Sequence, residues 1–115
     1  MPENSILIST KKKLGLDQAY EQFDMEIIAY INSALAILTQ LGVGPEDGLI
    51  IDGPNNTWDE LFVDGKKIEL AKTYIYMKVR LMFDPPTSSF VLESINKQLS
   101  EYEWRINAMA EKGSV

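Results

Sequence analysis

Lys66 to Ala110, KKIELAKTYIYMKVRLMFDPPTSSFVLESINKQLSEYEWRINAMA, decides the fold: two long helical runs broken once, at Asp84-Pro85-Pro86. Proline lacks a backbone N–H and pushes the residue before it away from helical dihedrals, so the chain must turn there. After the break, Thr87, Ser88 and Ser89 are candidate N-caps, of which Ser88 is preferred. From Phe90 to Ala110, Leu92, Ile95, Leu99, Tyr102, Ile106 and Met109 recur three and four apart, the spacing of a coiled-coil seam. Glu93, Lys97, Glu101 and Arg105 step by four on the other side with alternating sign. Trp104 falls on that charged side, as a candidate interface anchor or a residue packed on the body of its own domain.

The run before the break, Ile68 to Phe83, is apolar around most of its circumference. Its polar stripe is narrow: Glu69, Lys72, Thr73, Tyr76 and Arg80. A helix covered so widely is expected to be buried on several sides, by its own domain or by a neighbouring subunit. Lys78 breaks the apolar face, among Ala71, Tyr74, Ile75, Leu81 and Met82. An ammonium there must reach out to water or find a carboxylate, in this chain or across a subunit boundary.

Working back from this hairpin, Asp64 is the expected N-cap of helix 66–83, in preference to a β-hairpin around Asp64-Gly65. Thr57-Trp58-Asp59-Glu60 has the form of a capping box and predicts a short helical turn. Between 42 and 56, Gly42, Gly44, Pro45, Gly48, Gly53 and Pro54 mark an irregular excursion in which Leu49-Ile50-Ile51 is a candidate short strand. No GxxxxGK[ST] run accompanies these glycines, so they do not make a phosphate loop.

Further back, Ile27, Ile28, Ile31, Ala34, Leu35, Leu38 and Leu41 predict a helix over 24–41. Asp24 is its expected cap, Phe23 and Ile28 a possible staple, and Gly42 its stop. Ser5 to Leu14 reads as a short helix ending in Lys11-Lys12-Lys13, expected to be a solvated end that complements the helix dipole, and Gly15 closes it. Leu16 to Phe23 is a polar connection, and the tail from Lys112 is expected to fray. The reading is a mostly α protein: a small bundle of about four helices, a long C-terminal helical hairpin and a Gly/Pro-rich excursion, in one domain over 1–115.

With neither cysteine nor histidine in the chain, thiolate and imidazole chemistry is excluded, for metal binding and for catalysis alike. Asp47, Asp52, Asp59 and Glu60 carry no catalytic motif and are expected to cap turns and solvate a loop. A net charge of −6 argues against a chain that grips polyanions as a whole. No apolar run reaches the length of a membrane span, about 18 residues or more.

The run Lys72 to Pro86, KTYIYMKVRLMFDPP, resembles that of the small head–tail connector (adaptor) proteins of tailed bacteriophages. Glu103-Trp104-Arg105-Ile106-Asn107 is similar to the closing motif of that group. Leu14-Gly15-Leu16-Asp17, Asp24, Ile27-Ile28 and Gln40 to Gly44 are similar to its first half. The resemblance covers roughly residues 6 to 110. It implies a structural protein with no cofactor that assembles as a ring, typically twelvefold, between the portal and the tail or next head-completion protein. DNA would pass through that ring without sequence-specific binding, in the virion, the subunits having waited in the host cytoplasm.

On this resemblance Lys78, Arg80, Phe83, Asp84, Pro85 and Pro86 become candidates for the contact between subunits. Trp104, Arg105 and Asn107 become candidates for the portal contact. Pro45, Glu46, Asp47, Asp52, Asn55 and Asn56, in the excursion where the chain departs from the broader family, are candidates for the channel lining or the next protein. The alternative that the residues alone allow is a cytosolic helical interaction or regulatory module without enzymatic activity.

Overall fold

The computed structural model describes residues 4–61 and 65–113, with side chains over 4–61 and 68–108. These residues form four α-helices, α1 (Ile6–Lys13), α2 (Asp24–Gln40), α3 (Gly65–Phe83) and α4 (Ser89–Gly113), with a 3-10 turn at Trp58–Leu61. Asp64, the expected cap of α3, lies outside the described residues, but helix from Gly65 onward removes the second strand of the alternative hairpin. Met109 belongs to α4 while its side chain lies outside the described set. The helix continues to Gly113, beyond the point where fraying was expected.

Several of the helix ends have a visible local cause. Ser5 caps α1, its Oγ accepting from the Ile8 N–H at 3.2 Å. Ser88 does the same for α4, more loosely, toward the Val91 N–H at 3.4 Å. Both α1 and α2 close on a left-handed glycine, Gly15 at φ 83° and Gly42 at φ 90°. In each case the next residue reaches back across the turn, Leu16 N–H to Lys11 O at 2.9 Å and Val43 N–H to Leu38 O at 2.9 Å. This paired closure satisfies carbonyls that the helix end would otherwise leave open.

At the start of α2 the expected cap is displaced by one residue. Phe23 occupies the cap position with no side-chain bond, and Asp24 is the first helical residue. Its carboxylate is drawn away to Lys11, whose Nζ lies 2.8 Å from Oδ1. Phe23 turns its ring onto Tyr20 and Phe83, at 5.6 and 5.3 Å between centroids, both edge-on. Lys11 is therefore no solvated helix end. It is 1% exposed, holds Asp24, and donates to the Gln18 carbonyl at 3.0 Å. Three consecutive lysines concealed one that the fold buries.

α3 is the hub. It packs against α1, α2 and α4, while α4 packs principally on α3. Ala71, Tyr74, Ile75, Met77 and Val79 of α3 are buried against Ile27, Ile31, Ala34, Leu35 and Leu38 of α2, Ile6 and Leu7 of α1, and Leu99 and Ile106 of α4 in one core cluster. Each large aliphatic in this set contributes roughly 1.5–3 kcal/mol by leaving water. The wide apolar circumference of α3 is thus covered by its own chain. Of its described large apolar residues only Met82 is exposed.

The 42–56 excursion contains no strand. Among the described residues the sole β contact is an isolated antiparallel bridge between Ser5 and Thr57. Leu49-Ile50-Ile51 cannot join a ladder because Asn32, in the middle of α2, takes both backbone groups of Ile51. Its Oδ1 accepts from the Ile51 N–H at 2.8 Å and its Nδ2 donates to the carbonyl at 3.0 Å. Ile51 is buried by this clamp and Ile50 is left 76% exposed. Downstream, the Glu60 carboxylate accepts from the Thr57 N–H at 3.2 Å, the reciprocal half of the expected capping box. Trp58 is buried, its indole N–H donating to Ser9 Oγ at 2.9 Å, with the Lys72 ammonium 5.5 Å from its ring centroid.

Candidate functional site

The residues singled out above fall into three separate places: the α3–α4 corner, the outer face of α4, and the excursion. Among the described residues no single pocket gathers them. Nor do three acidic side chains in that set stand close enough together to hold a metal ion, and none of its helices is long and apolar enough to cross a membrane.

At the corner, Phe83 is half-buried, with its ring on Phe23, and Asp84 extends the helix by one bond, its N–H donating to the Arg80 carbonyl at 2.8 Å. Asp84 and Pro85 are exposed, while Arg80 and Pro86 are half-buried. Lys78 finds its carboxylate within its own chain. Its Nζ lies 3.9 Å from Glu103 Oε2 on α4 and 6.0 Å from the Tyr74 ring centroid. The same Glu103 oxygen accepts from the Tyr74 hydroxyl at 2.7 Å. Burial, then this hydrogen bond, then the charge of Glu103 hold the Tyr74 hydroxyl well above its ordinary pKa of 10.0. A partner across a subunit boundary is therefore not needed to explain Lys78. Glu103 was not predicted, although its position four residues beyond Leu99 places it beside the seam.

On the outer face of α4, Trp104 is 72% exposed, which excludes its packing into the body of its own domain. Arg105 pairs with Glu101 at 2.7 Å, one helical turn back, and both are exposed. A surface pair of this kind contributes about 0.3–0.5 kcal/mol. Asn107 is half-buried. Phe90 joins this face with 80% exposure. Sequence reasoning used Phe90 only to mark a helix start, yet its spacing of fourteen from Trp104 already placed the two rings on one stripe.

In the excursion, Glu46, Asp47, Asp52 and Asn55 are exposed and Pro45 is half-buried. Asn56 differs. Its carbonyl accepts from the Ile6 N–H at 3.0 Å, its Oδ1 from the Asp52 N–H at 3.1 Å, and its Nδ2 donates to Glu60 at 3.2 Å. Asn56 fastens the end of the excursion to α1, and its side chain is occupied inside the subunit.

A family model described as phage connector protein matches residues 6–113. No curated protein and no solved structure matches the chain.

Proposed function

The chain belongs to the phage connector protein family, and from that membership we propose that it is a structural subunit of a ring, typically twelvefold, seated between the portal and the tail or next head-completion protein. The observation that carries this reading is the outer face of α4. There a domain that covers its other tryptophan leaves Trp104 open beside Arg105, two residue types enriched in binding hot spots. Trp104, Arg105 and Asn107 contact the portal. Arg80, Asp84, Pro85 and Pro86 form the lateral contact at the corner. Lys78 and Phe83 support that contact from behind, since their own partners are internal. Pro45, Glu46, Asp47, Asp52 and Asn55 face the channel or the next protein, and Asn56 holds that segment in place.

The role is architectural rather than catalytic. Clustered Lys and Arg are what grip phosphates, and a chain of net charge −6 lets DNA slide past without sequence-specific binding. Residues 1–115 act as one connector-like domain, made in the host cytoplasm and retained in the virion. The test is native mass spectrometry and negative-stain imaging of the chain mixed with the portal of the same phage. A closed ring stacked on the portal is expected. Trp104→Ala should keep its helicity and thermal midpoint and lose portal binding. A portal that takes up no subunits, or takes up the Trp104→Ala variant as well as the parent chain, would refute this assignment.

A further inference from the structure

Between α1 and α3 lies a cleft of about 170 Å³ whose polar lining comes from both helices. A single bound water needs roughly 10–15 Å³, so the cleft admits a larger polar group. On the α3 side it is lined by most of that helix's narrow polar stripe, Glu69, Lys72, Thr73 and Tyr76, set against the last turns of α1. Trp58 joins the two walls. Its indole N–H donates to Ser9 of α1, and its ring lies under the Lys72 ammonium of α3.

The donors in this lining are unequally committed. The hydroxyls of Ser9 and Thr10 are spent on the carbonyls of Ser5 and Ile6, at 2.7 and 2.8 Å. Those of Thr73 and Tyr76 are half-buried and have no hydrogen-bond partner among the described residues. Lys13, in the last turn of α1, brings an exposed ammonium. The side chain of Lys72 is only 33% exposed, so it is partly withdrawn from water. Its carboxylate neighbour, Glu69 Oε1, stands 3.8 Å away, beyond hydrogen-bond distance, on a side chain that is itself 74% exposed. A half-covered cation met only by a ring face and a long ion pair is short of an anion.

We propose that this cleft binds one phosphate group, held by the Lys13 and Lys72 ammoniums and the Thr73 and Tyr76 hydroxyls. Two ammoniums against one carboxylate leave the lining cationic, although the chain as a whole carries −6. Donors arriving from two helices suit a tetrahedral oxyanion, whose oxygens diverge, better than a planar carboxylate, whose two oxygens share one edge. The C-terminal end of α1 offers little opposition, because the Thr10, Lys11 and Lys12 carbonyls already accept from Leu14, Leu16 and Gly15. Inorganic phosphate and the phosphodiester backbone of DNA present the same oxygens. A backbone phosphate held here carries no base information, so the site is compatible with DNA passing without sequence-specific binding. It requires no ring.

Heteronuclear NMR of the full chain tests this, with the Trp58 indole N–H as reporter, assigned by its persistence in Trp104→Phe. Titration with inorganic phosphate, against chloride at equal ionic strength, should move that signal saturably. Lys72→Gln should raise the dissociation constant about tenfold or more, and Tyr76→Phe, which changes no charge, about threefold or more. Lys97→Gln removes the same charge from α4 and should leave the constant unchanged. Far-UV circular dichroism and thermal midpoints equal to those of the parent chain establish that the variants are folded. A short DNA duplex is the second probe. A response of the same signal to the duplex, lost in Lys72→Gln, supports the site and identifies the DNA backbone as a source. A response to inorganic phosphate alone supports it and identifies a free ion. Absence of a saturable response to either probe would overturn the proposal. So would a response that Lys72→Gln and Tyr76→Phe leave unchanged, or that Lys97→Gln weakens equally. None of these outcomes bears on whether the chain loads onto a portal.

Discussion

Tyr74 on α3 and Glu103 on α4 are joined by a 2.7 Å hydrogen bond across the helical hairpin, with the Lys78 ammonium 3.9 Å from the same carboxylate oxygen. The phenol is buried and the carboxylate half-exposed, so the bond pins a surface helix to the centre of the fold through one polar contact. A neutral phenol is what this site accommodates. Ionising it would set a phenolate against Glu103.

The first prediction follows from the sign of that shift. The folded hydroxyl releases its proton at a higher pH than the unfolded one. Its contribution to stability is therefore complete below about pH 10 and is lost as the pH rises further. The loss can reach about 1.4 kcal/mol per pH unit. Tyr74→Phe should cost about 1 kcal/mol at neutral pH and flatten the alkaline part of the profile relative to the parent chain. Urea midpoints of the two proteins at neutral pH and above about pH 10 measure both effects.

Lys11→Met should destabilise the fold by about 2–3 kcal/mol. It strands the Asp24 carboxylate and removes the donor to the Gln18 carbonyl. The side chain of Asp24 keeps 23% of its exposure, which holds the loss below that of a fully buried broken pair. Adding Asp24→Asn should recover part of the loss. A double-mutant cycle in urea gives the coupling, and strict additivity would mean that the pair contributes nothing.

Asn32→Leu should release the 42–56 excursion while leaving the four helices intact. Both backbone bonds to Ile51 disappear, at roughly 1 kcal/mol each. Hydrogen exchange at the Ile51 amide should accelerate and proteolysis should move to the segment around Gly44 to Gly48, with little change in far-UV circular dichroism.

Gly42→Ala should lower stability by about 1 kcal/mol, because a residue with a Cβ is strained at φ 90° and the closure of α2 depends on that conformation. A thermal midpoint equal to that of the parent chain would show that the helix end adopts another closure at no cost.

The helices were legible because their signals are local: seams three and four apart, glycine stops, a double proline and a serine cap. Among the described residues the misreadings all involve partners distant in sequence. Lys11 looked solvated because nothing nearby in the chain announces Asp24, thirteen positions on. The apolar run Leu49-Ile50-Ile51 suggested a strand, but a carboxamide nineteen residues before Ile51 consumes the backbone groups a ladder would use. The wide apolar surface of α3 left open whether its own domain or a neighbouring subunit covers it, and three helices of the same chain supply the cover. The candidate surfaces were half visible. Trp104 stood out as an aromatic on a charged face. Phe90 and Glu103 gained meaning only once α4 had an inside and an outside.

The two tryptophans end up in opposite surroundings, Trp58 at 4% exposure under the Lys72 ammonium and Trp104 at 72% on the outermost helix. The chain thus carries two intrinsic fluorophores that report different events. Emission from Trp58 shifts to the red when the core opens, and emission from Trp104 shifts to the blue when another surface covers it. Opposite spectral displacements would let one cuvette distinguish denaturation from association, without a label and without disturbing either face.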